Sequence, residues 1–447
     1  YMAKAGMKVL ILEKNANPGG YCTSFKRGEF HFDACVHSLG SLRKDGNIRL
    51  VLRELDLEKR LNVERYDPSD IIITPDFEIN FWNLLEKVIQ EFQIHFMAEA
   101  KRINNFFHYI NECQSLELIS LRSTTFQGLI NKHFKNEKLK SILSFPVLGN
   151  TGCSPSEVSA LTGVLMYKEF IFDGGYYPAG TIQALPNIFT ERFKEFGGEI
   201  YLSSTVKRIN VKNKKIESVE TEKNGLFSCK YVVSNADVMQ TFFTLIGKDK
   251  VTRNMIDKLN SLSPSLSMFI IYLGIKEKAF NDFISPNTNV WFLPDYDIDK
   301  MYNLALKGDI DNLDCFLIRL LPDCKSMLLL TFAPFISEEY WIINKKRLIE
   351  IFIKKAERIL PNLSSSILFK DAATPNTLYK WTRNYKGASY GWAGIPSQIA
   401  IAGLTQRTEF ANLFLTGHWT TLVQGVAGVA YLGRDTAKRI LKKESIQ

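Results

Sequence analysis

A single glutamate, Glu13, directly follows the apolar run at residues 9–12, near the start of the sequence. The run is short and fully apolar, which predicts a buried strand. A carboxylate at the end of such a strand can accept hydrogen bonds from both hydroxyls of a nucleotide ribose, as in dinucleotide sites. An ordinary strand that ends in an acid explains Glu13 equally, so this residue alone leaves both interpretations open.

A glycine pair follows within a few residues and offers a second kind of chemistry. Pro18, Gly19 and Gly20 predict a turn, and glycine lets a backbone approach a ligand closely. Arg27 comes shortly after, and its guanidinium could pair with a phosphate. A plain turn and a surface arginine are the alternatives.

A third group lies in NLFLTGHWTTLVQGVAGVAYLGRDTAKRIL, at the far end of the chain. Gly417 follows a predicted strand, and Gly425, Val426 and Gly428 open the last predicted helix. A helix N-terminus carries partial positive charge. Against a flavin, it would stabilise the anionic N1–C2=O edge of the reduced ring. Glycine at a helix start is common, so the pattern alone is not specific.

Strands and helices at defined positions must hold these residues. Lys4, Ala5 and Gly6 are typical of a helix C-terminal cap. With the strand at 9–12, this cap predicts a glycine loop about one helix length upstream, which would hold a pyrophosphate on backbone N–H groups. We therefore expect Tyr1 to be a truncation rather than the natural start.

Further along, apolar periodicity and turn residues predict the remaining framework. Residues 80–145 are expected to be helical, because Phe81, Val88, Phe92 and Phe96 belong to a stripe with a 3.6-residue period. The other predicted elements are a turn at 174–180, a helix at 183–196, strands at 200–202 and 231–233, a hairpin between 206 and 219, several strands within 266–335, and helices at 338–359 and 425–442.

Composition narrows the class of partner. The chain has 447 residues, a net charge of +9 and 31 Phe. Its basic residues are dispersed and form no finger, basic zipper or RNA-binding signature, so we expect no nucleic-acid partner. A scattered solvated surface or contact with an anionic membrane surface explains the charge. Abundant Phe suits a thick core or a large apolar ligand cavity.

Metal and disulfide chemistry have little support. The seven cysteines include no Cys-x-x-Cys pair, and the six histidines form no HxxxH or HExxH motif. We expect reduced thiols, no metal site, and structural roles for His31 and His37. No apolar run reaches the about 18 residues of a spanning helix. A cytoplasmic protein, or one at the cytoplasmic face of a membrane, is expected.

Three stretches together are much more specific than any one of them. They are GMKVLILEKNANPGGYCTSFKRGEFHFDACVHSLG, GGYYPAGTIQALPNIFTERFKEFGGEIYLSSTVKRI and the C-terminal stretch quoted above, in that order. Over essentially its whole length the chain resembles the FAD-dependent phytoene desaturase, carotenoid isomerase and retinol saturase family, within the amine-oxidase-like flavoproteins. The stretch ATPNTLYKWTRNYKGASYGW looks closest to the isomerase and retinol saturase branch.

The resemblance implies an α/β fold, in which a Rossmann-like, amine-oxidase-like FAD domain in three segments surrounds an inserted α+β substrate domain. The FAD domain is expected at 1–75, 166–245 and 376–447. The substrate domain is expected at 76–165, mainly helical, and at 246–375, with a β-sheet.

The resemblance also implies roles for individual residues. Glu13 would bind the adenosine ribose, and Val206 would offer its backbone to adenine. Gly19, Gly20 and Arg27 would line the pyrophosphate and ribityl path. The residues implied at the ribityl chain and the flavin ring are Gly417, His418, Gly425, Val426 and Gly428.

Two features depart from the family pattern. Its GxGxxG loop is not among residues 1–447, which bears on how well this chain binds FAD. His418 stands where many amine-oxidase-like members carry an acid, although the isomerase-like members often share the GHW form.

The implied reaction is hydride exchange between flavin N5 and a C–C unit of a long polyene or isoprenoid, as carotenoid or retinoid desaturation, saturation or cis–trans isomerisation. Tyr385, Tyr390 and Trp392 are candidates for positions near the flavin, with packing beneath the C-terminal segment as the alternative. A substrate that resides in the bilayer predicts peripheral membrane contact through the aromatic helices around 81–110 and a basic rim.

Two other functions stay open. One is a flavin amine oxidase, which an aromatic cage of two facing rings would favour. The other is a non-enzymatic prenyl-binding protein of the GDP-dissociation-inhibitor type. The oligomeric state is left open by the sequence.

Overall fold

The computed structural model describes residues 1–286, 288–400, 404–420 and 424–444. Its strands are, in chain order, β1 Leu10–Leu12, β2 Ser24–Arg27, β3 Phe30–Asp33, β4 Val63–Arg65, β5 Asp70–Ile73, β6 Glu78–Phe81, β7 Tyr176–Pro178, β8 Glu199–Tyr201, β9 Val206–Lys212, β10 Lys215–Thr221, β11 Leu226–Ser228, β12 Val232–Ser234, β13 Ser267–Ile275, β14 Asn289–Phe292, β15 Phe316–Leu320, β16 Ser326–Ala333, β17 Ile367–Ala373 and β18 Leu413–Leu415.

The helices of the described residues are α1 Asn47–Glu54, α2 Leu85–His95, α3 Ala100–Glu112, α4 Ser115–Ser120, α5 Phe126–His133, α6 Glu137–Thr151, α7 Ala160–Met166, α8 Ala184–Glu195, α9 Arg253–Asn260, α10 Ile298–Lys307, α11 Glu338–Ala356, α12 Leu363–Ser366, α13 Pro375–Thr382, α14 Pro396–Ala400 and α15 Gly425–Lys443. Short helical turns lie at Met97–Glu99, Leu121–Ser123, Tyr167–Ile171, Gln240–Gly247, Lys248–Lys250 and Tyr385–Gly387.

Two pairs of short parallel strands position the ends of the chain. β1 pairs with β8, and Leu10 lies opposite Glu199. β12 pairs with β18, and Val232 lies opposite Leu413. Residues of β1 and of β12 line the same cavity. Strands predicted at 9–12, 200–202 and 231–233 are confirmed to within about a residue. Within each pair, the parallel pairing places the two carboxyl ends side by side.

The cap predicted at Gly6 is also confirmed. The Gly6 N–H donates to the Ala3 carbonyl at 2.9 Å, and the Met7 N–H donates to the Met2 carbonyl at 3.1 Å. This pair of bonds is the Schellman arrangement that closes a helical turn. Gly6 has φ 82°, in the left-handed region where a side chain is strained, which explains glycine there.

A seven-stranded mixed sheet, in the order β17-β13-β16-β15-β14-β5-β6, forms the largest layer. Every residue of β13 is buried, and successive side chains enter different cores. Ile270 and Tyr272 pack on the side of the helices α2–α7, whereas Phe269 and Ile271 pack with α11. Helices on both faces explain why these strands are continuously apolar rather than alternating.

One boundary prediction is wrong. Phe81, assigned to the helical stripe from its spacing, is the last residue of β6 and pairs with Asp70 of β5. The stripe becomes helical only from Leu85, where Val88 and Phe92 are buried. An apolar residue just before a helix fits both the 2-residue period of a strand and the 3.6-residue period of a helix. The sequence pattern therefore does not distinguish the two for Phe81, and its pairing with β5 makes it part of a strand.

A carboxylate at the end of α1 joins this helix to α15. Glu54 accepts two hydrogen bonds from the Arg434 guanidinium, each 2.6 Å long, and one from the Tyr1 hydroxyl at 2.6 Å. Arg434 is the main reason that the pKa of Glu54 falls to about 2. The charged form of Glu54 therefore stabilises the folded state above its unfolded pKa of about 4.3.

We expect Glu54→Gln to lower the free energy of unfolding by about 1–2 kcal/mol at pH 7, a value discounted for partial exposure. The deficit should shrink as pH falls from about 4.3 towards 2, because the wild-type carboxylate is then protonated. Urea denaturation at several pH values measures it, with Glu217→Gln, exposed on β10, as the control. A deficit that does not change with pH would contradict this assignment.

Candidate active site

A cavity of about 2140 Å³ lies where β1, β12 and the start of α15 meet. Single-ligand pockets usually measure about 300–1,000 Å³, so this space is large enough for a cofactor and a substrate together. The residues proposed from sequence that line it are Glu13, Gly19, Gly20, Val206, Tyr390, His418, Gly425, Val426 and Gly428. Arg27, Gly417, Tyr385 and Trp392 do not line it.

Glu13 lies at the cavity wall, directly after β1. Its backbone N–H donates to the Tyr201 carbonyl at 2.9 Å, which continues the pairing of β1 with β8. The Asn15 N–H donates to Glu13 Oε1 at 2.7 Å and fixes the carboxylate. Burial raises the pKa of Glu13, while the Asn15 and Lys14 groups oppose that shift. The site thus presents an oriented carboxylate to a ligand.

The glycine loop after Glu13 packs against α13 and the segment that follows it. Gly19 has φ 127°, and a Cβ there would lie 2.5 Å from the Cys22 carbonyl oxygen. The Trp381 indole donates to the Gly20 carbonyl at 3.3 Å, and the Tyr21 hydroxyl donates to the Ala388 carbonyl at 3.1 Å. These bonds hold the loop along the cavity. By contrast, Arg27 is exposed on β2, with its guanidinium over the Phe25 ring.

Gly417 allows the segments that follow β12 and β18 to approach each other closely. Gly417 has φ 85°, and a Cβ there would lie 2.2 Å from Asn235 Oδ1. His418 follows, with burial lowering its pKa to about 4, so its ring is neutral at pH 7. Gly425 begins α15 with φ 73°. The N-terminus of this 19-residue helix therefore opens at the cavity.

The aromatic candidates divide into two groups. Tyr390 lines the cavity and donates its hydroxyl to the Gly149 carbonyl at 3.0 Å. Trp392 donates its indole N–H to the Trp419 carbonyl at 3.1 Å and packs edge-on against that ring. The Tyr385 N–H donates to Asp237 Oδ2 at 2.7 Å. The structure therefore places Trp392 and Tyr385 in the packing around β18.

Several cavity residues were not selected from the sequence. Ser38 Oγ, Ser389 Oγ and Gln424 Oε1 are buried, line the cavity and have no hydrogen-bond partner among the described residues. Buried polar atoms are normally paired, so these three are consistent with a polar ligand or an ordered water at the cavity wall. Isolated serines and a glutamine carry no spacing signal, which explains why sequence reasoning missed them.

These features fit a flavin dinucleotide. Gly20 and Gly425 both line the cavity with positive φ, and a Cβ at either would enter open space. Unpaired side-chain atoms, an oriented carboxylate and a helix N-terminus supply hydrogen bonds and charge of the kind that a ribose, a pyrophosphate and a flavin ring require. Together the fold and the site define a flavin-dependent oxidoreductase.

The chain belongs to the flavin containing amine oxidoreductase family, whose pattern it matches over residues 1–441. It is 25% identical to all-trans-retinol 13,14-reductase from Danio rerio, over 96% of this chain and 81% of that protein. Phytoene desaturase (lycopene-forming) from Pseudescherichia vulneris is 26% identical, over 98% of this chain and 95% of that protein. Prolycopene isomerase, chloroplastic, from Daucus carota is 24% identical, over 98% of this chain and 77% of that protein.

Solved structures share the fold. An oxidoreductase from Methanosarcina mazei superimposes with a TM-score of 0.64 at 15% identity, over 99% of this chain and 96% of that one. An engineered variant of putrescine oxidase gives a TM-score of 0.66 at 13% identity, over 99% of this chain and 95% of that one. The expected amine-oxidase-like flavoprotein fold, the enzyme class and the cofactor FAD are thereby confirmed.

Proposed function

We propose that this enzyme acts on C–C bonds of a long apolar polyene or isoprenoid, of the carotenoid or retinoid kind. The single observation that carries the proposal is that one cavity joins the FAD-type residues to an apolar wall. Leu165, Met166, Phe170 and Met268 contribute to that wall, in the same space that Glu13 lines. The names of the relatives, which refer to retinol, phytoene and prolycopene, support such a substrate.

The residues of this chain would bind FAD and the polyene, orient them, and exclude water from the cavity. When bound, FAD supplies hydride acceptance or donation at N5 of its ring. Glu13 would hold the ribose by hydrogen bonds, and the N-terminus of α15 at Gly425 would stabilise negative charge on the ring. The apolar wall would keep the polyene flat and dry beside it.

The two alternatives have less support. Putrescine oxidase shares the fold at 13% identity, which carries no substrate information. Among the described residues, the stacked ring pairs, such as Phe269–Trp341, lie away from the cavity. The prenyl-binding alternative is disfavoured because the family that the chain matches is described as flavin containing amine oxidoreductase.

Product analysis tests the proposal. Protein reconstituted with FAD is incubated with all-trans-retinol, phytoene or prolycopene, in air and under anaerobic reduction, and products are identified by chromatography. We expect a changed double-bond pattern in at least one polyene, and no hydrogen peroxide from putrescine. Peroxide release from amines, with every polyene unchanged, would overturn it.

We also propose contact with an anionic membrane surface. Ile94, in the last turn of α2, and Met97, between α2 and α3, are 71% and 80% exposed. Lys101 and Lys135 are also exposed. Lys135 lies near this pair, because its backbone N–H donates to Glu99 Oε1 at 2.8 Å. No helix of the described residues is long and apolar enough to cross a bilayer. An apolar pair with a basic rim suits shallow insertion.

Changing both Ile94 and Met97 to Ser is expected to lower binding to phosphatidylserine-containing vesicles about tenfold, because two apolar side chains no longer leave water. Co-sedimentation at low salt measures the bound fraction. The control changes Ile342 and Ile343, exposed on α11, to Ser. Equal binding by the variant and the wild-type protein would exclude this surface.

A further inference from the structure

A second, smaller cavity lies behind the apolar wall of the large one. Its volume is about 20 Å³, which is room for roughly one water-sized group. It lies between α6 and the strands β14, β15 and β16, and its lining includes Phe145, Trp291 and Leu330. Two residues, His37 and Met268, line both cavities. These two side chains therefore form the partition between the large cavity and the small one.

The far walls of the small cavity are apolar and fixed in position. The Trp291 indole donates to Asp70 Oδ1 at 2.8 Å, and the Thr331 hydroxyl donates to the Cys315 carbonyl at 2.8 Å. A Cβ at Gly149 would lie 2.4 Å from Trp291 Cζ3, so α6 packs directly against this ring. With these polar groups bonded within the protein, the small cavity suits an apolar group better than water.

The two residues of the partition differ in their freedom to move. His37 Nδ1 lies 3.0 Å from Asn289 Oδ1, and the imidazole lies edge-on to the Trp291 ring at a centroid distance of 6.3 Å. Met268, on β13, has only apolar side-chain atoms and a thioether to pack. Its unbranched side chain has three rotatable bonds and adapts to irregular spaces. A rotation of Met268 is therefore the smallest change that would join the two cavities.

We propose, building on the function proposed above, that Met268 is the end stop for the apolar substrate and determines how bulky an end group the enzyme accepts. Leu165 and Phe170 belong to the same wall of the large cavity, so a polyene that lies along this wall ends against the Met268 thioether. When that thioether turns aside, the small cavity provides further apolar space for the end group. Met268 is then a specificity-determining residue that contacts the substrate.

Two isomeric hydrocarbons test this inference without measuring turnover. Lycopene and β-carotene have the same formula and are both symmetrical, but lycopene has open-chain ends and β-carotene has cyclic ends. FAD-loaded protein is titrated with each from the same detergent micelles, and quenching of tryptophan fluorescence gives each Kd. The quantity compared is the Kd of β-carotene divided by that of lycopene. Because partitioning into micelles is common to all variants, changes in this ratio report the protein site.

We expect Met268→Ala to lower the ratio about tenfold, because the cyclic end then buries additional apolar surface in the opened space. Met268→Phe fills that space and should raise the ratio about threefold, and it keeps the test decisive if Met268→Ala fails to fold.

The matched control is Ile270→Ala, on the same face of β13. Ile270 is fully buried and lines neither cavity, so this variant should leave the ratio unchanged. Unchanged ratios in both Met268 variants with both ligands bound, or an equal shift in Ile270→Ala, would overturn this inference alone. A wild-type protein that binds neither ligand would instead overturn the proposed function.

Discussion

Replacing Glu13 with leucine is expected to weaken FAD binding about a hundredfold. The carboxylate lies at the cavity wall after β1, and the Asn15 N–H holds its Oε1 atom at 2.7 Å. An oriented carboxylate can accept both hydroxyls of a ribose, and hydrogen bonds to a charged group contribute about 1.5–3 kcal/mol each. Two such bonds, lost at once, correspond to about two orders of magnitude or more in Kd.

Quenching of flavin fluorescence on titration of FAD measures this effect directly. Glu13→Gln keeps one acceptor oxygen and should weaken binding only about tenfold. Glu217→Leu, on the exposed face of β10, is the matched control and should bind FAD as the wild-type protein does. A Kd within threefold of wild type for Glu13→Leu would remove Glu13 from the cofactor site.

Local signals explain why this part of the site was predictable from sequence. The strand before Glu13 is a continuous apolar run, and the cap at Gly6 needs only the residues on either side of it. Gly425 likewise begins a helix whose pattern is clear. Each of these predictions depends on residues close together in the chain, where propensity and periodicity act.

The polar wall of the cavity was not predictable in the same way. The sequence predicts a structural role for His37 and gives no indication of its partner, because a lone histidine carries no spacing signal. Its partner Asn289 lies 252 residues away, and the arginine that orients this amide lies within the apolar strand β15. Pairing of β14 with β5 and β15 brings these side chains together. Such contacts depend on sheet register rather than on local composition.

The same buried network predicts the largest change in stability. Arg319 is fully buried, donates to Asn289 Oδ1 and lies over the Tyr177 ring at 5.2 Å. Two buried carboxylates belong to its surroundings: Asp70 accepts from Asn289, and Asp33 accepts from the Tyr177 hydroxyl at 2.7 Å. Arg319 is therefore the cation that offsets the charge of both carboxylates.

Arg319→Met is expected to lower the free energy of unfolding by about 3–5 kcal/mol, since it leaves buried carboxylates without their cation. Urea denaturation measures the loss. Arg347→Met removes an arginine from an exposed pair with Asp311 and should cost less than about 1 kcal/mol. Equal losses for the two variants would contradict the central position of Arg319.

The pH dependence separates loss of charge from loss of packing. Burial raises the pKa values of Asp33 and Asp70, and the positive charge of Arg319 lowers them. Without Arg319 both pKa values rise further above those of the unfolded chain, so the folded variant gains protons, and relative stability, as pH falls. The deficit of Arg319→Met should therefore be smaller at pH 5 than at pH 8. A deficit equal at both pH values would show that the side chain stabilises the sheet by packing alone.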